Sequence, residues 1–135
     1  MQAQETLRKY FGHEAFRPGQ EVMVNALTHH RDALGVMPTG AGKSMCYQVP
    51  ALMMPGVAIV ISPLISLMAD QVAALKSAGV PAAYLNSSLT PRQMELAMQR
   101  ARQGAYKIIY VAPERLETPS FQAMAQSMPI SLLAV

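Results

Sequence analysis

The sequence has no tryptophan, only one cysteine and few charges. A lone cysteine, Cys46, excludes an internal disulfide framework and suits a reducing compartment. Charged residues make up only 14% of the chain, and no run of Lys or Arg forms an electrostatic stripe. The net charge of +3 is weak evidence for a polyanionic partner. Such a partner would have to be held by a few placed contacts and not by bulk charge. A long apolar run is missing too. The longest, Val57 to Met68, is broken by Ser62-Pro63 and is too short to cross a bilayer. The opening residues Met1-Gln2-Ala3-Gln4-Glu5 are polar and lack the apolar core of a signal peptide. These absences point to a cytoplasmic protein with no membrane partner. No internal repeat or low-complexity linker divides the chain.

What is there is a hydrophobic, foldable sequence. Hydrophobic residues make up 51% of 135, which suits one domain with a buried core and argues against disorder. The eleven Met are scattered, as expected of flexible core filler.

Apolar runs alternate with helical patterns. Val57-Ala58-Ile59-Val60-Ile61 and Lys107-Ile108-Ile109-Tyr110-Val111 are uninterrupted and rich in β-branched residues, as in strands buried on both faces. Ala33 to Val36, Ala82 to Leu85 and Ser131 to Val135 are further candidate strands. Helices are expected over 21–30 after Pro18, over 43–53, over 64–77 with Gly79 as its stop, and over 91–102 behind the cap and first-turn pair Thr90-Pro91. In 64–77, Leu64, Leu67, Met68, Val72 and Leu75 share one face. Strand and helix repeated in this way imply a parallel sheet with helices on both sides, and such sheets bind ligands beyond the C-terminal ends of their strands.

The loop after the first run is Met37-Pro38-Thr39-Gly40-Ala41-Gly42-Lys43-Ser44. Gly40 and Gly42 let the backbone curl so that several N–H groups face one anion. The following helix offers its positive end to the same place. Lys43 adds a full charge near the β- and γ-phosphates, and Ser44 a hydroxyl for Mg²⁺. The strict phosphate-loop pattern begins with Gly where this chain has Met37. The competing reading is an ordinary Gly-rich turn, and the expected strand before and helix after the loop favour phosphate. Elsewhere, Cys46 reads as a small buried hydrophobe and not a nucleophile. His29-His30 lies near a helix end with no third ligand in sight, so a metal site is not expected there.

Several segments in order resemble the motifs of RecQ-type DNA helicases of the second helicase superfamily. They are Tyr10-Phe11-Gly12-His13 with Phe16-Arg17-Pro18-Gly19-Gln20, the phosphate loop with Cys46-Tyr47-Gln48-Val49-Pro50, Ser62 to Gln71, Asn86-Ser87-Ser88, and Ala112-Pro113-Glu114-Arg115-Leu116. The likeness runs from about Leu7 to Val135. It implies an α/β P-loop NTPase (RecA-like) fold, a parallel sheet with helices on both faces. Residues 1–30 would be a helical, adenine-recognising segment and 31–135 a partial first motor domain. ATP and Mg²⁺ would be the cofactors. Gln20 would hydrogen-bond the adenine edge, Arg17 would stack on the ring and His13 would cover its other face. Thr39, Gly40, Ala41, Gly42, Lys43 and Ser44 would hold the phosphates, with Lys43 and Ser44 serving catalysis and Ser44 the metal.

The resemblance also implies DNA, single-stranded or at a single/double-strand junction, along Ser62, Pro63, Leu64, Ser66, Asn86, Pro113, Glu114 and Arg115. From the residues alone, Ser62-Pro63 is equally a helix cap, Asn86-Ser87-Ser88 a simple turn, and Arg115 the partner of Glu114 or another carboxylate. In the family the last strand leads into Asp-Glu-Ala-His, so this chain is expected to be truncated before that Walker B segment and to hydrolyse ATP feebly or not at all. The parent is expected to unwind DNA 3′ to 5′ in recombination and repair, meeting single-strand-binding or repair partners through other parts. An RNA helicase, a duplex translocase and a non-catalytic nucleotide-binding remnant are the alternatives.

Overall fold

A computed structural model of the chain describes residues 2–36 and 42–135. The chain forms two compact units that divide between Pro55 and Gly56.

The first unit holds three helices, α1 (Ala3–Phe11), α2 (Gln20–Thr28) and α3 (Met45–Met53). Leu7, Val24 and Val49, one from each helix, are fully buried together, and Phe11, Phe16 and Met53 pack on them. This shared core carries the unit on to residue 55, past the end of the adenine segment expected at residue 30. Gly12 ends α1 in the left-handed region (φ 71), its N–H donating to the Arg8 carbonyl. Pro50 lies inside α3 and removes the bond its N–H would make to the Cys46 carbonyl.

The expected strand at Ala33–Val36 does not form. Residues 31–36 join no ladder, and Leu34 and Val36 are 93% and 92% exposed. The run is four residues long and contains Gly35, whose missing side chain gives a strand nothing to pack. Gly35 lies close against the thioether of Met23 in α2, where a Cβ would come within 3.0 Å of the sulfur.

The second unit is a four-stranded parallel sheet. Its strands are β1 (Val57–Ile61), β2 (Ala82–Leu85), β3 (Ile108–Val111) and β4 (Ile130–Ala134), in the order β2-β3-β1-β4. Crossovers run through α4 (Ile65–Ser77), α5 (Pro91–Arg102) and α6 (Pro119–Gln126). Right-handed crossovers place α5 and α6 on one face and α4 on the other. Side chains alternate accordingly. Val57, Ile59, Leu85, Ile109 and Val111 pack with Met98 and Ala101 of α5 and with Phe121 and Met124 of α6. On α4 the buried stripe is Met68, Val72 and Leu75. Leu64 and Leu67, expected on that stripe, are 57% and 44% exposed. Leu64 precedes the helix in extended backbone, so helical spacing does not govern it.

Local signals set the boundaries. Thr90 and Gln93 form a complete capping box at the start of α5, and Pro91 takes its first turn. Gly79 (φ 84) follows α4. Gly56 (φ 88) leads into β1, where any Cβ would collide with the Pro129 carbonyl oxygen. Lys107, ahead of β3, donates its Nζ to the Gly56 carbonyl at 2.9 Å, and burial pushes its ammonium pKa down. A 3₁₀ turn (Pro113–Glu117) and α6 lie in a stretch where the sequence suggested no helix. Thr118-Pro119 was the available signal, the same pair that opens α5. β4 is an edge strand with Leu133 63% exposed.

Candidate functional site

The candidate nucleotide residues belong to the first unit. Thr39, Gly40 and Ala41, with Met37 and Pro38, lie outside the described residues. Gly42 is left-handed (φ 74), the conformation a curled anion-binding loop requires of glycine. Its carbonyl accepts the Met45 N–H at 3.2 Å, and the Lys43 carbonyl accepts the Cys46 N–H at 3.0 Å. These bonds start α3, so the N–H groups of Lys43 and Ser44 precede the first intrahelical donor. Ser44 is the N-cap but makes no side-chain capping bond. Lys43 is exposed. A cation, a helix start and an uncommitted hydroxyl in three successive residues suit phosphate with its metal. Cys46 is buried one turn further on, and burial raises its thiol pKa, which agrees with a packing role.

Gln20 stands where the adenine segment meets this loop. It is 2% exposed. Its Nε2 donates to the Gly42 carbonyl at 2.9 Å, and its Oε1 accepts the Arg17 N–H at 2.7 Å. The Gln20 N–H donates back to the Arg17 carbonyl at 3.1 Å, so the turn is closed twice. A Cβ on Gly42 would sit 2.6 Å from Gln20 Nε2 and 3.6 Å from the Arg17 side chain. The two segments singled out for adenine and phosphate are therefore in contact. The resemblance implies that Gln20 hydrogen-bonds the adenine edge; here each end of its amide also has an internal partner. Its role as a strut for the loop has no signal in the sequence, because Gly42 is 22 residues away. Arg17 and His13 are exposed.

The candidate DNA residues lie in the second unit, at the C-terminal ends of β1, β2 and β3. The Ser62 N–H donates to the Val111 carbonyl at 3.1 Å and the Ala112 N–H to the Leu85 carbonyl at 3.0 Å, so the ladders run on into the loops. The three loops stand side by side, one strand spacing of about 4.8 Å apart. Ser62 Oγ accepts the Leu64 N–H at 3.2 Å; the hydroxyl closes a local turn, and α4 begins later, at Ile65. Pro63, Leu64, Ser66, Pro113 and Glu114 are exposed.

Asn86 is fully buried, unlike its exposed neighbours Ser87 and Ser88. Arg115 is half-buried, and its Nε is buried with no hydrogen-bond partner. The pairing of Arg115 with Glu114 left open by the sequence is not made. Among the described residues the ion pair found is Arg8 with Glu14, at 3.2 Å. Arg115 instead borders a cleft of about 460 Å³ together with Asn86, Ser87, Met94, Arg102 and Ser120. No group of three or more acidic, His or Cys side chains that could hold a metal occurs among the described residues. No described helix is long and apolar enough to cross a membrane.

A curled glycine, a lysine and a serine at a helix start, with strand-end loops on a parallel sheet, form a recurrent motor-domain pattern. The family profile for "DEAD/DEAH box helicase" matches residues 17–133. The chain belongs to the DEAD/DEAH box helicase family. The chain is 47% identical over 134 residues to the "ATP-dependent DNA helicase RecQ" of Bacillus subtilis, covering 98% of itself and 23% of that protein. It is 44% identical to the RecQ helicase of Haemophilus influenzae, covering 22% of it. To the "Probable ATP-dependent DNA helicase RecS" of Bacillus subtilis it is 38% identical, covering 26%. The chain thus spans about a quarter of the length of these relatives, and the RecQ likeness seen in its motifs agrees with their names.

Proposed function

We propose that this chain is the ATP-binding part of a DNA helicase that unwinds DNA 3′ to 5′ in recombination and repair, and that it works in the cytoplasm. The observation that carries the proposal is the contact between Gln20 and Gly42. It brings the segment with adenine-reading chemistry onto the loop with phosphate-holding chemistry. Lys43 would sit against the β- and γ-phosphates, and the main-chain N–H groups of Gly42, Lys43 and Ser44 would complete the cradle with Thr39, Gly40 and Ala41. Ser44 would offer its hydroxyl to Mg²⁺, which neutralises phosphate charge when bound. Arg17, exposed and beside Gly42, would lie over the base, with His13 on its other face.

In the second unit the proposed DNA track crosses the strand ends. Ser62 to Ser66, Ser87 and the Pro113–Arg115 turn offer hydroxyls, N–H groups and one guanidinium to the phosphodiester backbone. Such contacts hold any sequence. The place of Arg115 on the cleft beside Ser87 supports this part, because a guanidinium there can offer charge-assisted N–H bonds to a phosphate oxygen.

Titration with a fluorescent ATP analogue tests the nucleotide reading. Binding should be measurable in the unaltered protein and weakened roughly ten- to a hundredfold in Lys43→Ala at unchanged helical content. Equal affinity in both proteins would end it. Comparing single-stranded DNA with single-stranded RNA of the same sequence tests the substrate, and preference for RNA would favour an RNA helicase.

A further inference from the structure

Asn86 follows β2 and opens a polar loop, yet it is 0% exposed. All its hydrogen-bonding groups that the structure pairs face inward. Its Oδ1 accepts the Ser88 N–H at 2.9 Å and the Ser88 hydroxyl at 2.5 Å. Its carbonyl accepts the Leu89 N–H at 3.3 Å. Its Nδ2 donates to the thioether sulfur of Met68 at 3.2 Å. Met68 belongs to the first turn of α4, where its N–H donates to the Leu64 carbonyl at 3.1 Å. The Leu64 N–H in turn rests on Ser62 Oγ. An unbroken series of contacts therefore runs from Ser88 through Asn86, Met68 and Leu64 to Ser62. It ties the loop after β2 to the loop after β1, on either side of β3.

We infer that Asn86 is a positioning residue for DNA binding that does not itself touch DNA. It turns the Ser88 N–H and hydroxyl inward and leaves Ser87 as the outward donor, beside Arg115 on the same cleft. Through Met68 it holds the Ser62 loop at a fixed separation from Ser87, so that backbone phosphates at the two loops are held as a unit. The inference rests on the DNA reading of these loops given above. It differs from that reading in removing Asn86 from the direct contacts and in giving Met68, an otherwise ordinary core residue, a part in binding.

Fluorescence anisotropy with a labelled single-stranded oligonucleotide tests it, using Asn86→Ala, Met68→Leu, Ser62→Ala and the double variant Asn86→Ala/Ser62→Ala. Met68→Leu keeps the volume and removes only the sulfur acceptor, which guards against misfolding of the Asn86 variant. Asn86→Ala and Met68→Leu should each weaken DNA binding about three- to tenfold, the scale of one buried hydrogen bond. Affinity for a fluorescent nucleotide should not move. The double variant should bind about as well as the weaker single variant, because the two loops are coupled. A merely structural Asn86 would give a double-variant loss equal to the product of the two single losses, and that result overturns the inference. So does full DNA affinity in Met68→Leu and Asn86→Ala when Ser62→Ala is weakened, which leaves the DNA reading standing. If Ser62→Ala and the unaltered protein bind DNA equally, the DNA reading of that loop fails, and this inference fails with it.

Discussion

The two units place their candidate functional residues by different means. In residues 56–135, backbone ladders continue past β1 and β3 into the loops, so Ser62 and Ala112 are fixed by the same bonds that make the sheet. Among the described residues of 2–55 there is no sheet. There a side-chain amide, that of Gln20, reaches the Gly42 carbonyl of the candidate phosphate loop. Ladder bonds are main-chain bonds that survive a change of side chain, whereas the Gln20 bond is made by a side chain and is lost with it. Single substitutions should therefore disturb nucleotide binding more readily than they disturb the strand-end loops.

The largest expected effect is that of Lys43→Ala. Losing a charged hydrogen bond to phosphate should cost about 1.5–3 kcal/mol, a loss of roughly ten- to a hundredfold in ATP affinity. Lys43 is exposed, so circular dichroism should be unchanged. Next comes Gln20→Ala, which sharpens the contrast between the units. The sequence alone suggests that it would blunt only the preference for adenine. The internal bonds of Gln20 lead to a different expectation, a loss of about three- to tenfold for ATP and GTP alike. Competition titrations with the two nucleotides decide it, and a selective loss for ATP would favour the adenine-edge role.

Arg115→Ala should then weaken single-stranded DNA binding nearly uniformly across sequences and lower the slope of log affinity against log salt by about one. Nucleotide affinity should stay put, and anisotropy over a salt series measures both points. The smallest effect belongs to Thr90→Ala. It removes a complete capping box at an exposed helix start and should cost about 1 kcal/mol in denaturant unfolding, with no change in ligand binding.

Much of the second unit could be read from its residues. β1 and β3 are continuous β-branched runs, and Thr90-Pro91 and Gly79 mark helix boundaries that the structure keeps. These signals are local and agree with the packing. The short run Ala33–Val36 is a further candidate strand in the sequence, but strand formation requires a partner that periodicity cannot show, and Gly35 weakens the run. α6 escaped notice although Thr118-Pro119 repeats the start of α5. In the candidate sites the residue types were legible and their commitments were not. Lys43 and Ser44 follow from spacing. The burial of Asn86, the Gln20 strut and the missing partner of Arg115 come from tertiary approaches over many residues. Ser62 shows the limit well, since cap and ligand look alike in sequence, and the structure gives its oxygen to Leu64 within a turn and not to the helix.

The claim that matters most is that this chain holds nucleotide by its phosphates. Calorimetric titration of the protein with Mg-ATP, Mg-ADP and AMP tests it most directly. In the proposed cradle Lys43 and the start of α3 would address the β- and γ-phosphates, so ATP and ADP should bind and AMP, which has neither, should bind far more weakly. AMP binding as tightly as ATP would contradict a phosphate cradle at Gly42-Lys43-Ser44.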